Sequence, residues 1–318
     1  MLKWMMLAAA MAGSAAISQP QTPAPSQPHD PSAPETLGYR ADSADRMTVP
    51  ITIDGRGPFR FIVDTGAERT VISRELAAQL SLDPSRNIML ASVADVREVP
   101  TVIIPQIAVG RRSMTGLQAP ALRADHIGAD GMLGVDSLRN QRVVFDFERR
   151  EMRLSRSVAQ DDRWPSDTIV VTAQTRLGRM VLADAMVDGE RVRAIVDTGS
   201  QITVGNRALR DRLVGRGRID PNMMLEVTSV TGANAQLNYT VTQRMRIGGA
   251  RIENLPIAFG SIELFRQLGL ENRPAILLGM DALRLFRLVS IDFGARRLRL
   301  VPGPTSQLGG PLRVAAAR

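Results

Sequence analysis

Short apolar runs separated by turn-forming residues follow one another along most of the chain. Residues 48–53 and 59–63 are two such runs, with Asp54-Gly55 directly after the first of them. Apolar runs of this length, bounded by Gly, Pro, Asn or Asp, are typical of β-strands. An Asp-Gly pair between two such runs is a strong hairpin signal. The pattern therefore predicts an all-β fold class, mainly β-strands with short helices.

The second strand of this hairpin leads directly into Asp64-Thr65-Gly66-Ala67. The arrangement recurs in the second half of the chain, where Asp188-Gly189 precedes the apolar run 192–196, which leads into Asp197-Thr198-Gly199-Ser200. Asp and Gly are ordinary turn formers, so one such tripeptide alone would predict no more than a turn. Two copies in matching contexts predict a carboxylate at the end of a buried strand in each half.

The repeat extends well beyond the two tripeptides. Each copy continues with a strand, a short helical segment and a hairpin region, and then reaches Leu133-Gly134 in the first half and Leu278-Gly279 in the second. We interpret Asp136 and Asp281, which follow these pairs, as helix caps. The second copy has 12 more residues between its Asp-Thr-Gly and its Leu-Gly, and residues 262–268 there predict an added helix. A repeat of this length predicts two homologous lobes.

The ends of the chain have a different composition. Lys3, an apolar stretch and small residues up to position 18 predict a signal peptide, with an uncleaved membrane anchor as the alternative. We therefore expect an exported protein, periplasmic or secreted, with no other membrane span. The predicted order is a signal peptide at 1–18, a Pro-rich disordered tether at 19–44, an N-terminal lobe at 45–156, a linker at 157–168, a C-terminal lobe at 169–302 and a flexible tail at 303–318.

Composition removes several classes of chemistry. The chain has no cysteine and only two histidines, so a Cys nucleophile is excluded and His-based triads and metal sites have few candidate residues. The net charge is +8, but Lys3 is the only lysine and the arginines are scattered among acids. Without a basic stripe or a recognition motif, we expect no nucleic-acid partner. The chemistry must then rest on carboxylates, hydroxyls or the backbone, and we expect no metal and no organic cofactor.

Two lobes that pair around a pseudo-twofold axis bring equivalent residues face to face. Asp64 and Asp197 would then meet, and two carboxyl groups in contact share one proton because both cannot ionise cheaply. One carboxylate can take a proton from water while the other carboxyl group donates to an amide oxygen. The hydroxyls of Thr65 and Thr198 can form hydrogen bonds across the axis. Pairing of the lobes would therefore create a site suited to hydrolysing a peptide bond.

Residues 64–72, Asp-Thr-Gly-Ala-Glu-Arg-Thr-Val-Ile, closely resemble the active-site segment of retroviral-type aspartic proteases. The Leu-Gly pairs resemble the second signature of each lobe in that clan. The resemblance spans about residues 45–302 and implies a retropepsin-like aspartic protease in a single-chain, two-lobed bacterial form. It implies a monomer whose interlobe cleft binds an extended polypeptide substrate. The implied catalytic pair is Asp64 and Asp197, supported by Thr65, Gly66, Ala67, Thr198, Gly199 and Ser200.

The resemblance also implies a flap from each lobe, which we place at Ala91 to Glu98 and Ser229 to Gln236. Unlike the pepsin-type flap, neither segment contains tyrosine. The candidate substrate-contacting flap residues are Ser92, Val93, Ala94, Thr231, Gly232 and Ala233.

The two tripeptides are followed by different residues, Ala67 in one lobe and Ser200 in the other. We expect the Ser200 hydroxyl to donate a hydrogen bond toward Asp197, which would favour an ionised Asp197 and a protonated Asp64. Two alternatives to an active aspartic endopeptidase remain at this point. One is an inactive peptide-binding module of the same fold in the cell envelope, and the other is a β-rich scaffold protein.

Overall fold

A computed structural model of the chain describes residues 34–42, 46–157, 163–220, 223–303 and 313–316. The predicted signal peptide lies outside the described residues. The strands are β1 (Glu35–Gly38), β2 (Arg40–Ala41), β3 (Met47–Ile53), β4 (Arg56–Val63), β5 (Val71–Ser73), β6 (Pro84–Ala91), β7 (Val96–Val109), β8 (Arg112–Leu122), β9 (Gly131–Leu133), β10 (Gln141–Asp146), β11 (Glu151–Arg156), β12 (Ile169–Arg176), β13 (Arg179–Val187), β14 (Glu190–Val196), β15 (Val204–Gly205), β16 (Met223–Thr228), β17 (Asn234–Ile247), β18 (Ala250–Phe259), β19 (Ala275–Leu278), β20 (Phe286–Asp292), β21 (Arg297–Pro302) and β22 (Arg313–Ala316). The helices are α1 (Arg74–Gln79), α2 (Ala124–Ile127), α3 (Val135–Leu138), α4 (Arg207–Gly215), α5 (Glu263–Gln267) and α6 (Met280–Leu283).

The first lobe is built on an eight-stranded sheet with the strand order β2-β3-β4-β9-β5-β8-β7-β6. The hairpin β3–β4 turns at Asp54 and Gly55, whose φ angles of 47° and 71° give the left-handed turn that suits paired strands. Strand β4 then runs parallel to β9, with Val63 beside Leu133. The Asp64 N–H continues this pairing by donating to the Leu133 carbonyl at 2.9 Å. The first Asp-Thr-Gly therefore emerges where two parallel strands end together.

The second lobe repeats these local features in a 14-stranded sheet, which also contains β1, β10 and β11 of the first half. Its hairpin β13–β14 turns at Asp188 and Gly189, which also have positive φ angles, of 44° and 87°. Strand β14 pairs in parallel with β19, with Val196 beside Leu278. The second Asp-Thr-Gly thus leaves the sheet from the same kind of position as the first.

Strands from the two halves join in one sheet away from the tripeptides. Strand β10 of the first half pairs antiparallel with β20 of the second, with Val144 opposite Ser290. A single hydrophobic cluster contains buried residues of both halves, including Phe61, Phe145 and Phe286. Shared strands and a shared core fix the two halves of the molecule against each other. The molecule is therefore mainly β, with two related lobes and a cleft between them.

Four elements, β1, β2, β22 and α5, lie in segments for which the sequence predicted a tether, a tail or an added helix. Strands β1 and β2 lie within the predicted tether, and β1 pairs with β11, so part of that segment belongs to the folded unit. Strand β22 lies within the predicted flexible tail and pairs with β18. Helix α5 lies in the segment where the second copy is longer, as the sequence predicted. In the described parts of the chain, no helix is both long and apolar enough to span a bilayer.

Candidate active site

The two Asp-Thr-Gly loops meet between the lobes. Asp64 and Asp197 are 6% and 8% exposed, and their carboxyl groups are hydrogen-bonded to each other. The structure thus brings together the two carboxylates that the repeat predicted would meet.

Backbone N–H groups hold each carboxyl group in nearly the same way. Asp64 Oδ1 accepts from Gly66 N at 2.8 Å and from Ala67 N at 2.9 Å. Asp197 Oδ1 accepts from Gly199 N at 2.8 Å and from Ser200 N at 3.2 Å. Such donors stabilise an ionised carboxylate and fix the direction of its free oxygen. The loops therefore orient both carboxyl groups toward the pseudo-twofold axis.

Each glycine of the tripeptides lies against the aspartate of the opposite lobe. A Cβ atom on Gly66 would be 2.3 Å from the Asp197 carboxyl carbon, and one on Gly199 would be 2.2 Å from that of Asp64. These separations are far below van der Waals contact, so no larger residue fits without displacing the carboxyl groups. The glycines are therefore required by the close approach of the two loops.

The threonines lock the loops together. Thr198 Oγ1 donates to the Val63 carbonyl at 2.6 Å and accepts from Thr65 N at 3.1 Å. Thr65 Oγ1 donates to the Val196 carbonyl at 3.0 Å and accepts from Thr198 N at 3.1 Å. All four bonds cross between the lobes and are buried. They form the reciprocal network that the sequence predicted for these hydroxyls.

Asp136 and Asp281 support the loops from behind and are not the helix caps that we predicted. The N-cap residues of α3 and α6 are Gly134 and Gly279. Asp136 instead accepts hydrogen bonds from the backbone N–H and the hydroxyl of Thr70. Asp281 binds Thr203 in the same way. The prediction was wrong because the partners, Thr70 and Thr203, are distant in the sequence, and local sequence patterns do not reveal such contacts.

Burial raises the pKa of both aspartates. At Asp64 this increase is opposed by the hydrogen bond from Asp197, by the Ala67 and Gly66 N–H groups, and by the nearby charge of Arg179. At Asp197 burial is reinforced by the charge of Asp64 and by the shared hydrogen bond, so its pKa is raised well above the ordinary value. These directions favour a proton on Asp197 and an ionised Asp64.

The expected role of the Ser200 hydroxyl was wrong. Ser200 Oγ donates to the Ile202 carbonyl at 2.8 Å, within its own loop, and only the Ser200 backbone N–H reaches Asp197. The proton order favoured by the pKa directions is also the reverse of the order expected from this residue. The difference between the two halves of the site must come from another group.

The paired aspartates lie at one wall of a cleft of about 510 Å³. Its walls are largely apolar and come from both lobes: Val71, Ile88, Leu90, Met132, Ile202, Leu225, Val227 and Leu277. Among the described residues, no three His, Cys, Asp or Glu side chains gather in a way that could hold a metal ion. The cleft has the size and character of a site for an organic ligand with apolar side groups.

The predicted flap segments form hairpin ends over this cleft. Ser92 and Val93 line the cleft, and Ala94 lies beside them in the turn between β6 and β7. Thr231, Gly232 and Ala233 lie in the turn between β16 and β17. The two turns touch, because Thr231 Oγ1 donates to Asp95 Oδ1 at 2.6 Å and is 3.3 Å from Ser92 Oγ. We call Ser92, Asp95 and Thr231 the flap latch.

A sequence model described as aspartyl protease matches residues 49–137 and 183–282. The matches cover more than half of the chain, and each contains one Asp-Thr-Gly loop and one Leu-Gly pair. The chain belongs to the aspartyl protease family. A search of curated proteins gave no match. The duplicated match agrees with the two-lobed, retropepsin-like architecture of this family member.

Three side chains at the site of this aspartyl protease family member were not among the predicted site residues, although Asp95 lies within the predicted first flap. Asp95 belongs to the flap latch, and the His126 ring packs against Gly232 at the tip of the opposite flap. Arg179 crosses from the second lobe to the Asp64 loop. Arg179 had a detectable signal, because an Arg-Met pair precedes each Asp-Thr-Gly by the same distance, at Arg46 and at Arg179.

Proposed function

We propose that this protein is an aspartic endopeptidase that hydrolyses peptide bonds with water activated by Asp64 and Asp197. The observation that carries the proposal is the hydrogen bond between the two buried carboxyl groups at the wall of the cleft. Membership of the aspartyl protease family supports the same chemistry. A shared proton gives a base and an acid at the same point, which suits direct attack of water on a peptide bond; aspartic proteases are the standard example.

The cleft supports an extended polypeptide as the substrate. Strand β6 and strand β16 lie at the free ends of their sheets, and residues of both line the cleft. An extended chain can hydrogen-bond to such edges while its side chains enter apolar pockets on either side. Because one chain supplies both halves of the site, we propose that the protein acts as a monomer.

The proposed site of action is outside the cytoplasm, in the periplasm or the surrounding medium, and rests on the N-terminal sequence alone. The measurement is the mass of the protein recovered from the periplasm or medium of a bacterial host that expresses the full chain. A species lacking about the first 18 residues is expected. Recovery of the full-length chain in the membrane fraction would favour the uncleaved anchor.

The test of activity is cleavage of a denatured protein from about pH 3 to 7, the range in which paired carboxyl groups share one proton. Asp64→Asn and Asp197→Asn are the matched variants, and each should reduce cleavage to background. Activity that persists in both single variants would overturn the proposed mechanism. Tight peptide binding by the unmodified protein without turnover would favour the inactive peptide-binding module.

A further inference from the structure

Arg179 begins strand β13 of the second lobe, and its side chain is buried, with 7% of its surface exposed. The guanidinium lies against the Asp64 loop of the first lobe, where Nε donates to the Gly66 carbonyl at 2.6 Å. A buried arginine is costly unless it is hydrogen-bonded or paired with a charge. This contact therefore joins a buried positive charge of one lobe to the backbone of the other lobe's aspartate loop.

The Gly66 carbonyl and the Ala67 N–H belong to the same peptide group. The Ala67 N–H donates to Asp64 Oδ1 at 2.9 Å, so the hydrogen bonds run from the guanidinium through one peptide group to the carboxylate. Hydrogen bonds arranged in a chain polarise one another, and each becomes stronger. A positive charge at the carbonyl end makes the N–H end a better donor. The arrangement therefore favours negative charge on Asp64.

The equivalent arginine of the first lobe is engaged elsewhere. Arg46 Nε donates to Asp42 Oδ2 at 2.9 Å, and Arg46 Nη2 donates to the Ile127 carbonyl at 2.5 Å, within its own lobe. The residue four positions before Arg179, where Asp42 would be, is Thr175, which offers no carboxylate. On the other side of the axis, the Ser200 N–H lies at 3.2 Å from Asp197 Oδ1. The two halves of the site therefore differ in the charge placed behind their peptide groups.

We propose that Arg179 is a positioning residue that breaks the symmetry of the aspartate pair, fixing Asp64 as the base and leaving the shared proton on Asp197. This inference rests on the proposed function. Asp64 would take a proton from the water as the water oxygen bonds to the peptide carbon. At the same time, Asp197 would give its proton to the carbonyl oxygen. When the C–N bond breaks, Asp64 returns its proton to the leaving nitrogen. Asp197 regains one from a hydroxyl of the intermediate, which restores the starting state.

Few charged groups act on this arrangement. Asp197 and Arg179 act on Asp64, and the charged groups that act on Arg179 are Glu68, then Asp64, then Asp197. Arg179 Nη1 lies 3.9 Å from a Glu68 carboxylate oxygen and has no hydrogen-bond partner in the described part of the chain. Glu68 is half exposed and offsets part of the guanidinium charge. Its removal should therefore strengthen the effect of Arg179 on Asp64.

The experiment compares Arg179→Met with Arg46→Met, its pseudo-twofold counterpart. The measurement is the pH dependence of kcat/KM, whose acidic limb reports ionisation of the base. Loss of the guanidinium should move this limb to higher pH by roughly one unit in Arg179→Met, the size expected for one nearby charge. Arg46→Met should leave it in place. Equal shifts in the two variants, or a lower kcat/KM with an unmoved limb in Arg179→Met, would overturn the proposal.

A second variant covers the case in which Arg179→Met fails to fold. Glu68→Gln changes a half-exposed side chain and should move the acidic limb in the opposite direction, to lower pH. An unmoved limb, or one moved to higher pH, in Glu68→Gln would contradict the inferred role.

A readout without substrate separates this inference from the proposed function. The carboxyl ¹³C resonances of Asp64 and Asp197, assigned with the two Asn variants, report the titration of each group by NMR. Asp64 should lose its proton first in the unmodified protein, and at higher pH in Arg179→Met. This result in a protein without peptidase activity would support the role of Arg179 and reject the proposed function. Titration of Asp197 first would reject the role of Arg179, whatever the activity.

Discussion

Thr65 and Thr198 exchange hydrogen bonds across the two lobes, each hydroxyl accepting from the other residue's backbone N–H at 3.1 Å. Each hydroxyl also donates to a carbonyl of the opposite lobe, at Val196 or at Val63. One side chain per lobe thus satisfies two buried backbone groups of the other lobe. The aspartate pair depends on this contact, because the carboxyl groups meet only if the loops keep their spacing.

Replacement of Thr198 by Val should destabilise the folded protein by about 1–3 kcal/mol, since the Val63 carbonyl and the Thr65 N–H would lose their buried partner. Thr198→Ser keeps the hydroxyl and is the matched control. The measurement is urea unfolding of the three proteins at one pH. Equal stability of the Val and Ser variants would show that the hydroxyl does not hold the lobes together.

Replacement of Asp197 by Asn should stabilise the protein at neutral pH. The pKa of Asp197 is raised in the folded state, so above the ordinary value of 3.8 the folded protein binds more protons than the unfolded chain, and its stability falls as pH rises. Asp197→Asn does not lose stability in this way, so its stability relative to the unmodified protein should increase between about pH 4 and 7. Thermal unfolding of the two proteins across this pH range measures the difference in stability.

The control for this pH dependence is Asp125→Asn. Asp125 is exposed, and its hydrogen bond with Arg123 lowers its pKa to about 2. The sign is therefore opposite, and this variant should gain no stability as the pH rises. A parallel pH dependence of the two variants would argue against burial of charge as the cause.

Replacement of Gly199 by Ala should abolish peptidase activity, because the new methyl group would overlap the Asp64 carboxyl group. Gly215→Ala is the matched control, since a Cβ there meets no atom within 4 Å and the position ends helix α4. The measurement combines peptide cleavage with a circular dichroism spectrum, to separate loss of activity from loss of fold. An active Gly199→Ala protein would show that the loops approach less closely than the structure indicates.

A disulfide bond between positions 92 and 231 of the flap latch should block entry of a polypeptide substrate into the cleft. Ser92 Oγ and Thr231 Oγ1 are 3.3 Å apart, and the chain has no cysteine of its own to compete for pairing. The double variant Ser92→Cys, Thr231→Cys should lose cleavage of polypeptides when oxidised and regain it on reduction. The two single Cys variants are the controls. Full activity of the oxidised double variant would mean that substrate enters without parting the flaps.

The flap latch should also weaken in acid. Burial raises the pKa of Asp95, but hydrogen bonds from Ser92, Thr231 and Arg97 lower it by more, so its pKa lies below the ordinary value. The ionised form is the one that stabilises the contact, and this stabilisation is lost as pH falls through the lowered pKa. In the unmodified protein, cleavage of the flap tips by an added acid-active protease should therefore increase as the pH falls. In Asp95→Asn, cleavage at the flap tips should not depend on pH in this way.

Much of the fold followed from the sequence because its determinants are local. Apolar runs and Asp-Gly turns define the hairpins that precede each tripeptide, and the two hairpin turns have the positive φ angles that such turns need. The repeat then implied that equivalent residues face each other, which brought Asp64 and Asp197 together without any long-range information. Local errors occurred where a partner is distant in sequence, as for Asp136, whose carboxylate binds Thr70.

The sequence by itself determined the strands, the duplicated lobes and the identity of the paired carboxylates, because these depend on periodicity, turn chemistry and repetition. Only the tertiary structure decided how the two halves differ. Arg46 and Arg179 occupy equivalent positions, yet Asp42 engages one while the other reaches Gly66 of the opposite lobe. Such a choice depends on which polar groups surround a buried charge, and that arrangement exists only after the lobes have packed together.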